Sequence, residues 1–298
     1  MSAEEGVWPL VGRCTFPEPG KQLACAVSGG ADSLALLILA ASVGCDVTAI
    51  HVDHGLRPGS DSEAELVESA ARLVGARFSA LRVEVGVGPN IEARARAARR
   101  RALPAGTATG HTMDDQAETV LIRLLRGTGP DGLAAMRRGT EHPLLSLRRS
   151  ETRAVVRQAG LVPFEDPSNK DPTILRNRVR NELLPQCCEL AGRDVVPLLA
   201  RLADLAAADA DLLGGLAQRL DPTDARAICN APVPLARRAL RRWLRAEGPY
   251  PPDMAAVERV LAVARGDVPG THLAPSVSVR RTAGRLRAER LGPGGGQG

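Results

Sequence analysis

The sequence predicts an α/β protein: a doubly wound parallel sheet followed by a smaller, mainly helical domain with a terminal hairpin. Three observations predict it. Short apolar runs alternate with segments of helical periodicity over residues 23 to 126, the pattern of βαβ units and a sheet covered on both faces. The polar residues that stand out follow the ends of the apolar runs: SGGADS after the first, HVDHGLR after the second and GHTMDD after the fourth. In such sheets ligands bind beyond the carboxyl ends of the strands. From about Glu189 onward the composition becomes alanine- and leucine-rich.

In chain order, residues 1–22 carry Pro9, Pro17, Pro19 and Gly20 and read as an irregular lead-in. Leu23 to Val27 reads as the first strand, closed by a glycine turn and followed by a helix entered at Asp32-Ser33. Nothing bulky separates strand and helix, so backbone N–H groups there can close around an anion. Ser28 and Ser33 add hydroxyl donors, and Asp32 sits where it could hold a Mg²⁺ bridging phosphate oxygens. A plain strand-turn-helix connection would use the same small residues. The loop lacks the Gly-Lys-Ser/Thr ending of a Walker A motif.

A second strand covers about residues 46 to 53, and Ser60 caps a helix from Asp61 to about Leu73. Arg77 to Val85 alternates as a third strand, and Asn90 to Leu103 reads as a helix. Gly106 to Gly110 is a short fourth strand, and Asp114 to Arg126 a helix with Val120, Leu121, Leu124 and Leu125 at helical spacing. Gly127 to Gly132 formally matches GxGxxG, but it follows a helix and contains Pro130, so it fails the context of a dinucleotide site. On a strand His51 and Asp53 share a face while His54 lies on the other, which suits polar rim residues better than a metal pair. Glu92, Arg96 and Arg99 fall on one helix face, a spacing that also fits a solvated charge ladder. Asp115 and Glu118 are close to one turn apart, so both carboxylates can face one pocket. Pro234 to Glu247 places Arg238, Arg241, Arg242 and Arg245 on one face, as a solvated surface or as a phosphate-backbone contact. Ser276–Arg281 and Arg285–Glu289 can pair around Ala283-Gly284, and the last residues, GPGGGQG, read as a disordered tail.

Composition bounds the function classes. The 298 residues are 44% hydrophobic and 24% charged, those of a soluble globular chain. The longest apolar run, Leu34 to Gly44, is too short to span a bilayer. Residues 4 and 5 are acidic and no apolar signal core follows them, so no membrane association and a cytoplasmic location are expected. Six scattered cysteines with no CxxC pair read as free thiols. The net charge of +5, nearly all arginine, permits an RNA partner and equally suits a high-GC genome. At 2% aromatic content, no stacking platform for single-stranded RNA is evident.

SGGADS resembles the SGGxDS signature of the PP-loop (N-type) ATP pyrophosphatases, a Rossmann-like fold family that splits ATP into AMP and pyrophosphate. Further segments narrow the resemblance: HVDHGLRP; NIEAxARxxR; GHTMDDQAETVLIRLLRGTGPDGLAAM; PLLSLRR; and EDPSNKDPTILRNRVRNELLP. Together they are similar to the tRNA(Ile)-lysidine synthetases over about residues 23 to 185, in order and at the family's spacing. The chain departs from the family pattern at His142, where an arginine is usual, and at Arg100 and Asn181.

The resemblance implies a ligase using ATP and Mg²⁺, with isoleucine tRNA bearing the CAU anticodon and L-lysine as partners. AMP would be transferred to the carbonyl oxygen at ring position 2 of the wobble cytidine, and lysine's side-chain amine would displace it to give lysidine. By position, Ser28, Gly29, Gly30, Ala31, Asp32, Ser33, His51, Asp53, His54 and Gly110 fall to ATP. Asp32 and Asp115 fall to metal or electrostatic work, and His111 or a carboxylate near it to taking the amine's proton. Glu118 would orient lysine or the arginines, and Arg96 and Arg99 would contact phosphate or the activated base. The tRNA contacts would come from Arg96, Arg99, Arg126, Asn177, Arg178, Arg238, Arg241 and Arg242. Residues 23–188 form the catalytic domain in this reading and residues 189–291 the tRNA/substrate-binding domain, with 292–298 as tail. Open beside it are a tRNA thiolase of the same superfamily, a non-catalytic ATP-binding regulator, and either a monomer or a homodimer.

Overall fold

A computed structural model describes residues 9–53, 60–83, 91–247, 252–274 and 277–290. Two compact units divide the chain, Met1–Ala207 and Ala208–Gly298.

In the first unit the elements run β1 (Gln22–Ala26), α1 (Ala31–Ser42), β2 (Asp46–Asp53), α2 (Ser60–Leu73), β3 (Arg77–Arg82), α3 (Ile91–Ala102), β4 (Ala108–Thr109), α4 (Met113–Leu125) and α5 (Arg149–Gln158). A helical turn at residues 9–11 precedes them, inside the stretch read as irregular. The four strands are parallel in the order β3-β2-β1-β4. A parallel sheet needs both faces covered, and α1 is built for that: Leu34, Leu36, Leu37 and Leu39 are all fully buried. They join Cys25, Val47, Ala49, Val67 and Leu144 in one core, each buried leucine stabilising by about 1.5–3 kcal/mol.

The order reverses at β1: the chain moves through β2 and β3 on one side and returns to β4 on the other. The crevice beyond β1 and β4 is therefore the switch point where such sheets bind ligands. The fourth strand is only two residues long. Gly106 at φ +76° ends the turn before it, and Gly110 is spent on a close approach described below.

Beyond α5 the chain makes a 3-10 turn (Pro167–Lys170), then α6 (Leu175–Arg178), a π-helical turn (Val179–Leu183) and α7 (Leu184–Ala191). The long α8 (Val196–Gln218) begins in the first unit.

The second unit contains α9 (Ala225–Asn230), α10 (Val233–Glu247), α11 (Met254–Arg265) and an antiparallel sheet of β5 (Gly270–Ala274), β6 (Val277–Thr282) and β7 (Arg285–Arg290). Its core joins Ile228, Leu240, Leu244, Val260, Leu261, Val279 and Leu286. The expected hairpin turns at Ala283 and Gly284, with φ +48° and +77°, the backbone of a two-residue turn matched to strand twist. Its partner β5 is not expected from the sequence, because Gly270 opens it and no alternation announces it.

Candidate active site

The turn from β1 into α1 is an open cradle. Gly29 has φ +76°, a conformation that favours glycine, and its carbonyl accepts from the Phe164 N–H at 2.9 Å. Gly30 is the N-cap of α1 and no side chain caps it. The first-turn amides of Ala31 and Asp32 have no intrahelical acceptor by construction and point past the strand end. Ser33 braces the turn: its hydroxyl donates to the Gly30 carbonyl at 2.9 Å and receives the Ser28 N–H at 3.1 Å. The Ser28 and Ser33 hydroxyls lie 3.3 Å apart. Gly110, after β4, closes the crevice, since a Cβ there would stand 2.5 Å from the Asp32 carbonyl oxygen. Only glycine allows the two strand-end loops to meet so closely.

Beside the cradle lies a cluster of charges from α1, α4, α5, α6 and the π turn. Thr112 caps α4 in a reciprocal box with Asp115: both its N–H and its hydroxyl donate to Asp115 Oδ2 at 2.9 Å. That leaves Asp115 Oδ1 to Arg149 Nη2 at 2.9 Å, with Arg180 at 3.4 Å and Arg176 at 3.6 Å. Glu118, one turn on and 0% exposed, receives Arg180 Nε at 2.7 Å, Arg180 Nη2 at 3.1 Å, Arg149 Nη2 at 3.1 Å and Arg176 Nη1 at 3.4 Å. Arg149 also reaches Asp32 Oδ2 at 3.4 Å, and the Thr152 hydroxyl donates to Asp32 Oδ1. Three carboxylates thus face three guanidiniums, with Arg149 touching all three carboxylates.

The two aspartates respond oppositely. Burial pushes the Asp32 carboxyl up and the Asp115 charge adds to this, while Thr152 and Arg149 oppose it. Burial also works against the Asp115 charge, but Arg149, His111, Thr112 and Arg176 outweigh it and hold its carboxyl below the usual range. Arg149 is held charged: its desolvation is more than offset by Asp115, Glu118, Asp32 and Asp114. Asp115 is bonded on both oxygens, by Thr112 and by Arg149, while Asp32 stands at the first turn of α1 with Thr152 and Arg149 on it. A hard oxygen donor beside an anion cradle fits Mg²⁺ shared with phosphate.

A second polar group stands at the end of β4. The Thr109 hydroxyl lies 2.7 Å from His111 Nδ1 and 2.8 Å from His142 Nδ1. The rings meet edge to face, centroids 5.1 Å apart. His51 is buried at 2% exposure, with Nδ1 3.1 Å from the Val27 carbonyl, so it ties β2 to the strand end leading into the cradle. Asp53 ends β2 and is half-buried.

The remaining residues singled out from sequence fall elsewhere. His54 lies outside the described residues, and of Arg96 only its place on α3 is described. Arg99 is half-buried on α3, and Arg126 is exposed just past α4. Asn177, grouped with the RNA contacts, is 5% exposed. Its Nδ2 donates to the Ser168 and Asp171 carbonyls at 2.7 and 2.9 Å, so its amide holds the 3-10 turn against α6. Arg178 is exposed and lies 3.5 Å from Glu182. On α10, Arg241 and Arg242 are exposed and Arg238 half-buried, opposite the buried Ala236, Ala239, Leu240 and Leu244. Sequence reasoning gave no role to Arg149, Thr152, Arg176 or Arg180. For the three arginines the PLLSLRR and LRNRVR stretches were the only signal, Thr152 had none, and nothing local says which carboxylates they meet.

Comparison with known proteins agrees with this geometry. Residues 10–187 match the family described as a PP-loop domain, and residues 225–287 match the TilS substrate binding domain. A parallel sheet with an uncapped, small-residue cradle at its switch point is thus that of a PP-loop ATP-binding protein. The chain is 40% identical over 270 residues to the tRNA(Ile)-lysidine synthase of Nocardia farcinica, covering 84% of this chain and 85% of the relative. It is 41% identical over 307 aligned positions to that of Salinispora tropica, covering 92% of each. The chain belongs to the tRNA(Ile)-lysidine synthase family. Among solved structures, a U34-tRNA thiolase of Methanococcus maripaludis shares the fold, with a TM-score of 0.53 at 16% identity over 69% of this chain and 78% of that one.

Proposed function

We propose that this chain is an ATP-dependent ligase that joins lysine to the wobble cytidine of isoleucine tRNA bearing the CAU anticodon, forming lysidine and releasing pyrophosphate and AMP. One observation carries the reading: the uncapped start of α1 at the switch point lies against the Arg149 cluster through Asp32. An anion site and a set of matched charges are therefore contiguous, in a chain of this family.

In the first step the cytidine O2 attacks the α-phosphorus of ATP, and the bond to the β-phosphate oxygen breaks with its electron pair leaving on pyrophosphate. The Ala31 and Asp32 amides and the Ser28 hydroxyl bind the departing diphosphate, with Ser33 bracing the turn through the Gly30 carbonyl, so that little reorganisation is needed. Asp32 would hold Mg²⁺, which would supply positive charge to offset that building on the leaving group. In the second step the neutral ε-amine of lysine attacks ring carbon 2. The bond from that carbon to O2 breaks, and AMP leaves carrying the former base oxygen. His111 receives the proton the amine loses. Glu118 acts through Arg149, Arg176 and Arg180, holding them where they can meet phosphate or the activated base. Residues 189–291 would bind the tRNA, with Arg238, Arg241 and Arg242 along one helix face, and Arg99 and Arg126 would add contacts from the catalytic domain.

Pyrophosphate release with ATP, tRNA or lysine omitted in turn tests this. Sustained release is expected only with all three, together with lysidine among the digested nucleosides. Sustained release without lysine, with sulfur entering the tRNA, would favour the thiolase reading and overturn this one.

A further inference from the structure

The Thr109 hydroxyl has three polar neighbours and one proton. His111 Nδ1 lies at 2.7 Å, His142 Nδ1 at 2.8 Å and the Glu141 carbonyl oxygen at 3.1 Å. A hydroxyl donates once and accepts twice, and a carbonyl oxygen only accepts. All three contacts are hydrogen bonds in one arrangement alone: the hydroxyl donates to Glu141 and both imidazoles donate from Nδ1–H. The Glu141 oxygen has a second lone pair, and it takes the Thr109 backbone N–H at 2.9 Å. If the hydroxyl turned to an imidazole instead, the carbonyl contact would lose its proton and that ring would carry its hydrogen on Nε2. The edge-to-face setting of the rings, 81° between planes, lets both Nδ1 atoms converge on one oxygen. Burial pushes His142 down, the charge and the backbone carbonyl of Glu141 oppose this, and Arg100 adds to it.

We propose that Thr109 is a positioning residue for the reaction: its oxygen, shared by His111 and His142, holds His111 in the tautomer whose lone pair is on Nε2. The catalytic consequence rests on the function proposed above. The attacking amine gives its proton to His111 Nε2, and the resulting imidazolium keeps its Nδ1–H on Thr109, so the ring does not reorient as it charges. His142 fills the oxygen's other lone pair and thereby turns the hydroxyl proton toward Glu141.

Long-range proton–nitrogen correlation spectra of the full chain labelled with nitrogen-15 histidine read the tautomer directly. The chain has five histidines, and His111→Gln and His142→Gln assign the two signals. The wild-type protein should show His111 protonated at Nδ1 with the lone pair on Nε2. A wild-type His111 protonated at Nε2 overturns the proposal, whatever any variant does. Thr109→Val should convert His111 to a mixture of tautomers and Thr109→Ser should restore it; an unchanged spectrum in Thr109→Val also overturns it. In lysidine formation Thr109→Val should lower kcat roughly five- to tenfold with KM for ATP and lysine little changed, as the loss of one orienting hydrogen bond gives. Thr109→Ser should recover most of this. If the wild-type chain makes no lysidine while the spectra behave as stated, the function reading falls and the Thr109 assignment stands.

Discussion

Replacing Glu118 by glutamine removes one charge from the buried cluster with almost no change in shape. Glu118 is 0% exposed and takes a forked pair from Arg180 at 2.7 and 3.1 Å besides bonds from Arg149 and Arg176. Removing one partner of a buried pair costs about 3–5 kcal/mol, because the other charge stays behind. Two features reduce this. Arg176 and Arg180 have side chains 27% and 26% exposed, and both remain near Asp115 at 3.6 and 3.4 Å. The expected loss is about 2–4 kcal/mol, leaving a folded protein on the usual stability scale. In a unit of this size that lowers the melting temperature by roughly 5–15 °C. Urea and thermal unfolding followed by circular dichroism measure it, with Glu182→Gln as an exposed control. Adding Arg180→Met should cost less than the sum of the two single changes, since the arginine it removes has already lost its fork. A Glu118→Gln loss under about 1 kcal/mol, or strict additivity with Arg180→Met, would refute the assigned cluster.

Other outcomes follow from the same geometry. Gly110→Ala puts a Cβ 2.5 Å from the Asp32 carbonyl and must displace the start of α1; the apparent affinity for ATP should fall by about tenfold or more, while Gly129→Ala, where a Cβ meets nothing within 4 Å, should leave it unchanged. Binding of tRNA should weaken steeply with salt, and charge-removing changes at Arg238, Arg241 and Arg242 should each lower the log–log slope by about 0.7–0.9 for every phosphate left without its arginine; an unchanged slope would detach α10 from the RNA. In the second unit the Asp221 carboxyl is held down to about 2 by the Thr223 hydroxyl and N–H and by Arg285. A folded-state value below the unfolded one gives stability that is complete above about pH 4–5 and lost as pH falls toward 2. With the Asp221 side chain 51% exposed, Asp221→Asn should cost no more than about 1 kcal/mol at pH 7, and its difference from wild type should vanish near pH 2 in acid unfolding.

The sheet was legible because its central strands are short apolar runs bounded by glycine. Leu23–Val27 and Gln22–Ala26 differ by one residue, and the second strand matches over Asp46–Asp53. Gly106–Gly110 shrank to Ala108–Thr109 because its last glycine packs on α1 instead of pairing, a long-range demand no local pattern announces. The cradle at residues 28–33 was legible from residue size. Its neighbours were not. Arg149 and Thr152 sit in RRSETR, a stretch that reads as ordinary surface charge, and Arg149 meets Asp32 across 117 positions. Asn177 illustrates the same gap in reverse: an amide in an arginine-rich segment suggests RNA, while the fold uses it to satisfy two carbonyls of a turn.

The central claim is that the base oxygen, activated by ATP held in this cradle, leaves on AMP. A substrate tRNA carrying oxygen-18 at O2 of its wobble cytidine tests it most directly, with AMP, pyrophosphate and nucleosides analysed by mass spectrometry after reaction with ATP and lysine. The account predicts one labelled oxygen in each AMP and none in pyrophosphate or lysidine. Unlabelled AMP beside modified tRNA that retains the label would contradict it.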